Sequence, residues 1–502
     1  MIECPAGCVM SLSLTHILLY GMLDHCLVCR PPGCHSCGWK LEAVKDNAGD
    51  PPAFHVQVIT RLTRLLRGIF ISQKSGTATF LKGVRAERGP QSAFSTYTPP
   101  KKPLKLLCAA GANFCGPPYG RLKAGAHKRR VMKLTYVIPC LFGLEGLVGD
   151  EVRRLGLEQV QVENGRVLCR GSGADLPRLN LNLRCGERVL LRMASFPAMS
   201  FEALFQGAAA VPWEDFVPKD GQFPVKGHAL DSQLHSVPDC QKIIKKAAAQ
   251  RLGQVYGCSR LPETGAKYQI QFAIMKDQCS LYLDTSGAGL HKRGYREVGV
   301  EAPLRETLAA AMVILSRYRG KDPFRDPFCG SGTIAIEAAL IAKNRAPGLD
   351  RSFDAQKWRW LDSKFWVDAA GEAMDKEFDG AYDIWGGDID PKAVRIAREN
   401  AVKAGVADVV RFDEADVKKF HCEGEYGQIV TNPPYGERLL EREQAEALYR
   451  VFGEVYRSVP PKWRVLVITS HPEFERFFGR KAEKKRKLYN GMLKCDLYQF
   501  AR

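Results

Sequence analysis

The sequence of 502 residues contains no apolar run long enough to cross a membrane. The apolar stretch from Leu12 to Leu23 is too short, because a membrane-spanning helix needs about 20 residues. No basic residue precedes this stretch, as one would in a secretory signal. We therefore expect a protein that neither spans nor enters a membrane.

A regular cysteine framework is also missing. Eight of the 17 cysteines lie in the first 131 residues, and the nine that follow are scattered without the spacing of a disulfide scaffold. Scattered cysteines suit reduced thiols, which are typical of the cytoplasm. The sequence therefore predicts a cytoplasmic protein.

Acidic residues are scarce in the first 131 residues, which carry 18 basic and only 6 acidic side chains, a net charge of +12. This segment shows no sustained strand or helix period except from Val56 to Ile71, where arginines between apolar residues are typical of a basic amphipathic helix. We expect residues 1–131 to be an unstructured or mis-assigned upstream extension, with Met132 as the true start.

Four cysteines of this segment form two CxxC pairs, at Cys26, Cys29, Cys34 and Cys37. Two such pairs supply the four ligands of a structural zinc site. The gap of four residues between the pairs is much shorter than the usual ~15–20, so the loop would be cramped. We therefore predict no metal site and keep zinc at these cysteines as the alternative.

Near the C-terminus, the motif Asn432-Pro433-Pro434-Tyr435 follows a short apolar run. The prolines fix the backbone, so that the Asn432 side-chain carbonyl and a proline carbonyl stay aimed as hydrogen-bond acceptors. A nucleobase amine is a poor nucleophile because its lone pair is delocalised into the ring, and it needs such acceptors near an electrophile. We predict that the four motif residues are catalytic and hold a planar amine, with Tyr435 stacking on the base.

A glycine-rich segment upstream of this motif predicts the electrophile's site. Gly330 and Gly332 stand between Asp326 and an apolar helical run at residues 334–342, and Phe328 and Thr333 belong to the same segment. Glycines let the backbone approach a ligand closely, and the following helix offers free N–H groups to a carboxylate.

Two further acids each follow a predicted strand, Asp388 after residues 382–387 and Asp416 after residues 409–412. An acid after the second strand of such a unit commonly binds the ribose hydroxyls of a nucleoside cofactor. Asp416 is suited to accept from an adenine amino group. The order of glycine loop, ribose acid and adenine acid predicts a nucleoside cofactor.

These motifs resemble those of the class I S-adenosylmethionine-dependent methyltransferases, in the branch that methylates amines. The resemblance implies an α/β fold with a Rossmann-like seven-stranded sheet whose last strand is antiparallel. It also implies direct methyl transfer to the amine with no metal. The cofactor-binding residues that it implies are Asp326, Phe328, Gly330, Gly332, Thr333, Asp388, Asp416 and Asn432.

The preceding block of predicted strands and helices ends in Leu283–Gly287 and Leu290–Arg296. It resembles the ferredoxin-like plus THUMP region of RNA-modifying enzymes, which implies an α+β RNA-binding region. We expect a ferredoxin-like subdomain at 132–190, a THUMP domain at 191–290 and the methyltransferase at 291–502. Because 67 residues follow Tyr435, we expect no large DNA-reading domain downstream of the motif.

After residue 131 the chain has nearly equal numbers of basic and acidic side chains, but the basic ones are locally clustered. Residues 132–290 carry 18 basic and 16 acidic side chains, and residues 291–502 carry 37 and 33. Two clusters fit phosphate contacts, although a solvated charged face is the alternative. The RNA-binding residues that we predict are Lys292, Arg293, Arg296, Lys484, Lys485, Arg486 and Lys487.

The resemblance covers residues 132–502 and is nearest to bacterial THUMP-containing methyltransferases that act on the N2 amine of guanine in 23S rRNA. It implies RNA as the partner, with no obligate protein partner evident. The alternatives are a tRNA guanine-N2 enzyme of the same architecture, an adenine-N6 or protein-glutamine methyltransferase, and a non-catalytic RNA-binding assembly factor. The last would require a decayed cofactor site, whereas Gly330, Gly332, Asp388 and Asn432 are intact.

The segment from Asp350 to Trp366 is an insertion between the glycine-loop helix and the second strand. It contains Trp358, Trp360, Phe365 and Trp366. We expect these aromatic residues to pack an amphipathic helix, and an aromatic lid over a base is the alternative.

Overall fold

The computed structural model describes residues 2–3, 9–10, 133–296, 304–436 and 442–500. The chain forms two compact units, residues 1–88 and 89–502. The described residues of the first unit are two short antiparallel strands, β1 (Ile2–Glu3) and β2 (Val9–Met10). Apart from these four residues, the predicted extension 1–131 lies outside the described residues, and so do its four-cysteine cluster and the helix expected at Val56 to Ile71.

The first sheet of the second unit has seven strands. They are β3 (Leu134–Pro139), β4 (Glu158–Glu163), β5 (Arg166–Gly171), β6 (Leu190–Pro197), β7 (Val225–Leu230), β8 (Ile270–Met275) and β9 (Gln278–Asp284). Their order in the sheet is β4-β5-β3-β6-β9-β8-β7, and neighbours are antiparallel except β7 and β8.

Four helices accompany this sheet. They are α1 (Glu145–Arg154), α2 (Asp175–Asn182), α3 (Phe201–Ala209) and α4 (Val237–Tyr256). The helix α4 stops at Gly257, whose φ of +62° is a left-handed conformation that glycine adopts without strain.

Strand β6 joins the two parts of this region into one sheet. It pairs with β3 at Leu190 and Leu191, and along its whole length with β9. The expected boundary between residues 190 and 191 therefore falls within a strand that both parts share. The separate bounds of the ferredoxin-like and THUMP segments remain a proposal.

The second sheet also has seven strands. They are β10 (Phe324–Asp326), β11 (Ile384–Asp388), β12 (Val410–Glu414), β13 (Tyr426–Thr431), β14 (Lys462–Thr469), β15 (Lys484–Asn490) and β16 (Leu493–Phe500). Their order is β12-β11-β10-β13-β14-β16-β15, and β16 runs antiparallel to both of its neighbours. The predicted Rossmann-like sheet with an antiparallel last strand is confirmed.

Helices cover this sheet, and its central strands are accordingly apolar. The helices are α5 (Glu306–Leu315), α6 (Thr333–Ala342), α7 (Ser363–Asp375), α8 (Pro391–Lys403), α9 (Arg442–Tyr456) and α10 (Phe474–Phe478). In β13 every residue after Tyr426 is buried, as expected for a parallel strand covered on both faces. The helix α8 begins where the Asp390 side chain accepts from the backbone N–H of Lys392 and Pro391 fixes the first turn.

The tryptophan-rich insertion packs against the first sheet. Trp358 is only 2% exposed, stacks on Tyr268 with ring centroids 5.0 Å apart, and donates from Nε1 to the carbonyl of Lys267 at 2.8 Å. Trp366 stacks on Phe353 within the insertion itself. These rings are used for packing, which confirms the packing interpretation and leaves Trp358 unavailable as a lid.

The described residues contain no helix both apolar and long enough to span a bilayer. The nine cysteines after residue 131 are all free thiols.

The buried guanidinium of Arg293 joins the two regions of the second unit. Arg293 is 3% exposed and lies near Glu337 of α6, with 3.4 Å between Nε and Oε1. Its guanidinium also donates to the carbonyls of Leu183, Arg184 and Leu290. The guanidinium of Arg293 therefore contacts the segment after α2 and the helix that follows the glycine loop.

The predicted phosphate contact of Arg293 is consequently wrong. A side chain that is buried and surrounded by four protein acceptors cannot reach an RNA backbone. The sequence shows a cluster of positive charges at residues 292–296, whereas the partners of Arg293 lie up to 110 residues away in the chain.

Replacing Arg293 by methionine is expected to lower the free energy of unfolding by about 3–5 kcal/mol, because Glu337 would remain as an unpaired buried carboxylate. Urea denaturation followed by tryptophan fluorescence measures this change. The matched control is Lys292→Met, which removes a neighbouring exposed charge and should change stability by less than about 0.5 kcal/mol. Equal stability of the two variants would contradict a structural role of Arg293.

Candidate active site

A cavity of about 1230 Å³ opens at the carboxyl ends of the parallel strands. The strand order reverses between β10 and β13, and ligands of open α/β sheets bind in the crevice at such a point. Pockets for single small molecules measure about 300–1,000 Å³, so this one has room for a nucleoside together with a base. The predicted site residues that line it are Asp326, Phe328, Gly330, Thr333, Asp388, Asp416, Asn432, Pro433, Pro434 and Tyr435.

The two loop glycines serve different purposes. Gly330 has a φ of +51°, and a Cβ there would meet nothing within 4 Å, so its backbone is open to the cavity. Gly332 has a φ of +82°, and a Cβ there would lie 2.8 Å from the Phe412 ring and 2.9 Å from Ala397. Gly332 is not among the cavity-lining residues and instead allows α6 to start close to β12 and α8.

Asp388 is held at the end of β11 by backbone donors. Its Oδ2 accepts from the N–H of Gly330 at 2.8 Å, and its Oδ1 accepts from the N–H of Asp390 at 3.0 Å. Burial raises the pKa of this carboxyl above its usual value. A carboxylate has about four acceptor positions, so Asp388 can still accept from ligand hydroxyls.

Asp416 lies after β12 and caps the short 3-10 helix Val417–Lys419. Its side chain accepts from the backbone N–H of Lys418 at 2.9 Å. This bond fixes the carboxylate at the rim of the cavity, with acceptor capacity left for a ligand amine.

Asp326 is a fully buried carboxyl at the end of β10. Its Oδ1 accepts from the Thr431 hydroxyl at 2.6 Å, which ties the end of β10 to the end of β13. Its Oδ2 is buried and has no hydrogen-bond partner among the described residues. Burial raises the pKa of this carboxyl to about 7. Asp326 is therefore a buried acceptor on the cavity wall with an unfilled position.

The Asn432–Tyr435 loop is braced by its own side chains. The Tyr435 hydroxyl donates to Asn432 Oδ1 at 2.5 Å. The Tyr449 hydroxyl, from α9, donates to the carbonyl of Pro434 at 2.7 Å. Because Tyr449 uses the Pro434 carbonyl, the carbonyl of Pro433 is the better proline candidate for accepting from a ligand amine.

Several cavity-lining residues were not identified from the sequence. They include Ile389, Asp390, Gln444, Leu448, Val451, Met492 and Leu493. Asp390 could have been predicted, since the pattern Asp388-Ile389-Asp390-Pro391 places it at the start of the next helix. Asn490-Gly491 is typical of a hairpin turn, so the sequence predicts the β15–β16 hairpin, but only the tertiary fold brings this hairpin to the cavity.

The remaining predicted RNA contacts divide into two groups. Lys292 is exposed, and Lys484, Lys485, Arg486 and Lys487 are exposed on the edge strand β15. Arg296 is turned inward, because its guanidinium lies 2.9 Å from Glu306 and donates to Thr333 Oγ1 at 3.3 Å. Arg296 therefore braces the wall of the cavity, and its expected phosphate contact is wrong.

Two members of the exposed strand also have protein partners. Arg486 donates to the carbonyl of Gly143 at 2.8 Å, and Lys485 pairs with Glu475. Together with Lys484 and Lys487, they form a basic edge of four exposed side chains along β15 of the hairpin.

Three family models match the chain in sequence order. The RlmL ferredoxin-like domain matches residues 135–190, the THUMP domain matches residues 198–284, and the RMKL-like methyltransferase domain matches residues 293–499.

Similar proteins cover the same region. The Bacillus subtilis protein named "Putative RNA methyltransferase YpsC" is 45% identical over 371 residues, which are 73% of this chain and 96% of that protein. The "Ribosomal RNA large subunit methyltransferase K/L" of Syntrophotalea carbinolica is 35% identical over 71% of this chain and 52% of that protein. The chain thus spans about half the length of the K/L relative.

Solved structures share the fold. A protein from Listeria monocytogenes, named a predicted N6-adenine-specific DNA methylase, is 47% identical, with a TM-score of 0.70 over 74% of this chain and 97% of that one. The protein SMU.472, solved in complex with S-adenosylhomocysteine (SAH), is 42% identical, with a TM-score of 0.70 over 74% of this chain and 98% of that one. The chain therefore belongs to the RMKL-like methyltransferases that carry an RlmL-type ferredoxin-like domain and a THUMP domain, and S-adenosylmethionine is their cofactor.

Proposed function

We propose that this protein transfers a methyl group from S-adenosylmethionine to the exocyclic N2 amine of a guanine in 23S rRNA. One observation carries the proposal: the Asn432–Tyr435 loop shares a single cavity with the glycine loop and with the carboxylates of Asp326, Asp388 and Asp416. The THUMP match and the rRNA relatives support RNA as the substrate.

The residues of the cavity fit the cofactor. A buried carboxylate oxygen without a hydrogen-bond partner is costly, and Asp326 Oδ2 is such an atom. The ammonium of the cofactor's methionine moiety would satisfy it. Asp388 would hold the ribose hydroxyls and Asp416 the adenine amine, while the N-terminal N–H groups of α6 would face the carboxylate. When bound, the cofactor supplies a methyl group on a sulfonium, which is the electrophile.

The loop after β13 would prepare the amine. A carbonyl oxygen has two lone pairs, and Asn432 Oδ1 uses one for the Tyr435 hydroxyl. The other lone pair and the Pro433 carbonyl would accept from the guanine amine and orient it. Positive charge grows on the nitrogen during transfer, and acceptors fixed in advance stabilise that charge.

The Tyr435–Asn432 hydrogen bond gives the tyrosine ring a defined place. Tyr435 is partly buried and packs against the hydrophobic core. A ring held at its hydroxyl end by Asn432 can stack on a base without losing further rotational freedom. The single hydrogen bond between Tyr435 and Asn432 would thus position both the amine acceptor and the ring that stacks on the base.

Replacing Asn432 by alanine is expected to lower kcat for methyl transfer by about 100- to 1,000-fold, because the variant loses a fixed acceptor for the charged transition state. Cofactor affinity, measured calorimetrically with S-adenosylhomocysteine, should stay within about twofold, since Asn432 acts mainly on the amine.

The matched control is Gln444→Ala, which removes a cavity-lining amide from α9, outside the loop. This control should keep most of its turnover. Unchanged turnover in Asn432→Ala would refute the role of the asparagine in handling the amine.

Cofactor binding is expected to depend on pH through Asp326. Its pKa of about 7 means that the carboxyl is mostly neutral below pH 7 and mostly ionised above it. The ammonium prefers the ionised form, so affinity for S-adenosylhomocysteine should fall about tenfold from pH 8 to pH 6.

Titration calorimetry across this range measures the effect. Asp326→Asn, which cannot ionise, should bind more weakly and with a flatter profile. A profile as steep in Asp326→Asn as in the wild type would assign the pH dependence to another group.

The substrate is tested by incubating the protein with labelled cofactor and, separately, with unmodified 23S rRNA, tRNA and duplex DNA. Nucleoside analysis should find label in N2-methylguanosine from 23S rRNA. Labelled N6-methyladenosine would replace the guanine assignment with an adenine one, and label confined to tRNA or DNA would replace the rRNA assignment.

A further inference from the structure

We propose that Met492, at the tip of the β15–β16 hairpin, is the wedge that fills the base stack when the target guanine turns into the cavity. This inference rests on the proposed function, because it concerns how the RNA base reaches Asn432.

The hairpin tip is a tight turn at the mouth of the cavity. Asn490 and Leu493 form the last pair of the ladder, and Gly491 and Met492 are the two central residues. Gly491 has a φ of +66°, and glycine at the first central position is typical of a type II′ turn. The turn lies one residue later than an Asn-Gly turn would, and this register places a large apolar side chain at the tip.

Met492 is 99% exposed, more than any other large apolar side chain among the described residues. One exposed apolar residue is unremarkable by itself. Its position distinguishes it, because Met492 lines the same cavity as Asn432 and Tyr435. An apolar side chain held in water at the rim of this cavity is available to a ligand that brings apolar faces, such as stacked bases.

The base of the hairpin is attached to the catalytic loop. Cys495 Sγ lies 3.9 Å from the Tyr435 hydroxyl, and Leu493 and Tyr435 each pack against the same hydrophobic core. The tip therefore has a fixed position relative to the loop that would hold the target base. A wedge needs this fixed position, since it must enter the base stack at the place that the target base leaves.

The strand that leads to the tip carries the phosphate-binding chemistry. Lys484, Lys485, Arg486 and Lys487 are exposed along the half of β15 away from the tip, and four residues, Leu488–Gly491, separate them from Met492. Phosphate contacts set the register of a protein on a nucleic acid without reading its sequence. The basic edge would thus hold the RNA backbone while the tip meets the bases.

The chemistry of methionine suits this task. A base that turns out of a helix leaves an unstacked gap, and proteins that unstack base steps insert apolar side chains such as Met, Leu or Phe. Methionine is unbranched and polarizable, so it adapts to an irregular gap.

The test compares Met492→Ala with the wild type on two RNAs. One is a folded, unmodified 23S rRNA fragment that contains the target guanine. The other is the same fragment with an abasic site opposite that guanine, which makes extrusion easy. The alanine variant should lose about tenfold or more in kcat/KM on the first RNA and regain wild-type activity within about twofold on the second.

Two variants serve as controls. Met492→Leu keeps an apolar wedge and should retain most of the activity on both RNAs. Val402→Ala shortens a 68% exposed apolar side chain on α8, away from the cavity, and should behave as the wild type.

With 2-aminopurine in place of the target guanine, the fluorescence rise on binding should be smaller for Met492→Ala at equal RNA occupancy.

Each result is decisive. Equal activity of Met492→Ala and the wild type on both RNAs overturns the wedge, and so does an equal loss on both, which would indicate a general RNA contact. A wild type that transfers no methyl group to any RNA overturns the proposed function itself.

Discussion

The contact on which the arrangement depends is the burial of Arg293 between the two sheets. Its guanidinium is satisfied by carbonyls of Leu183 and Arg184 on one side and by Glu337 on the other. Separating the two regions would remove the carbonyl acceptors of Leu183 and Arg184 from the guanidinium, and a hydrogen bond to a charged group contributes about 1.5–3 kcal/mol. Because Glu337 belongs to α6, the helix that starts at the glycine loop, the first sheet is fixed to the element that would carry the cofactor.

Further contacts strengthen this attachment and hold the described chain that follows β9. Arg351 donates to the carbonyls of Ser286, Ala288 and Gly289, so the chain that leaves β9 is held by the insertion. Trp358 of the same insertion stacks on Tyr268 of the first sheet. An RNA bound by the first sheet would therefore present its target at a distance from the cavity that the fold determines. Recognition by fixed geometry fits residues 132–502, whose net charge is small, since attraction to phosphates carries no sequence information.

The parts of the site that the sequence predicted are those in which each residue sits at the end of its own strand. Asp388, Asp416 and Asn432 follow three parallel strands, whose carboxyl ends meet at one edge of the sheet. A local pattern then suffices to place them together. The seven-stranded sheet was implied by the family resemblance that these local motifs carry, and the structure confirms it.

The parts that failed depend on partners distant in the chain. Arg293 and Lys292 are equivalent in sequence, but one is buried by Glu337 and the other is exposed. Gly332 and Gly330 are likewise equivalent in a Gly-x-Gly pattern, whereas only Gly330 faces the cavity. The continuous first sheet was missed because the pairing of β6 with both β3 and β9 is set by non-local hydrogen bonds. Local charge and glycine patterns identify a segment, and tertiary packing decides which of its side chains reaches the ligand.

The hydrogen bond between Thr431 and Asp326 connects the two halves of the proposed reaction. Thr431 directly precedes Asn432, and Asp326 is the carboxyl with the unfilled oxygen. A hydrogen bond to an ionised carboxylate is roughly twice as strong as one to a neutral group. A cation bound at Asp326 would keep that carboxyl ionised and would thereby tighten its bond to Thr431. The end of β13, from which Asn432 projects, would then be held most firmly when the cofactor is in place, so that the amine meets a fixed acceptor only when the methyl group is present.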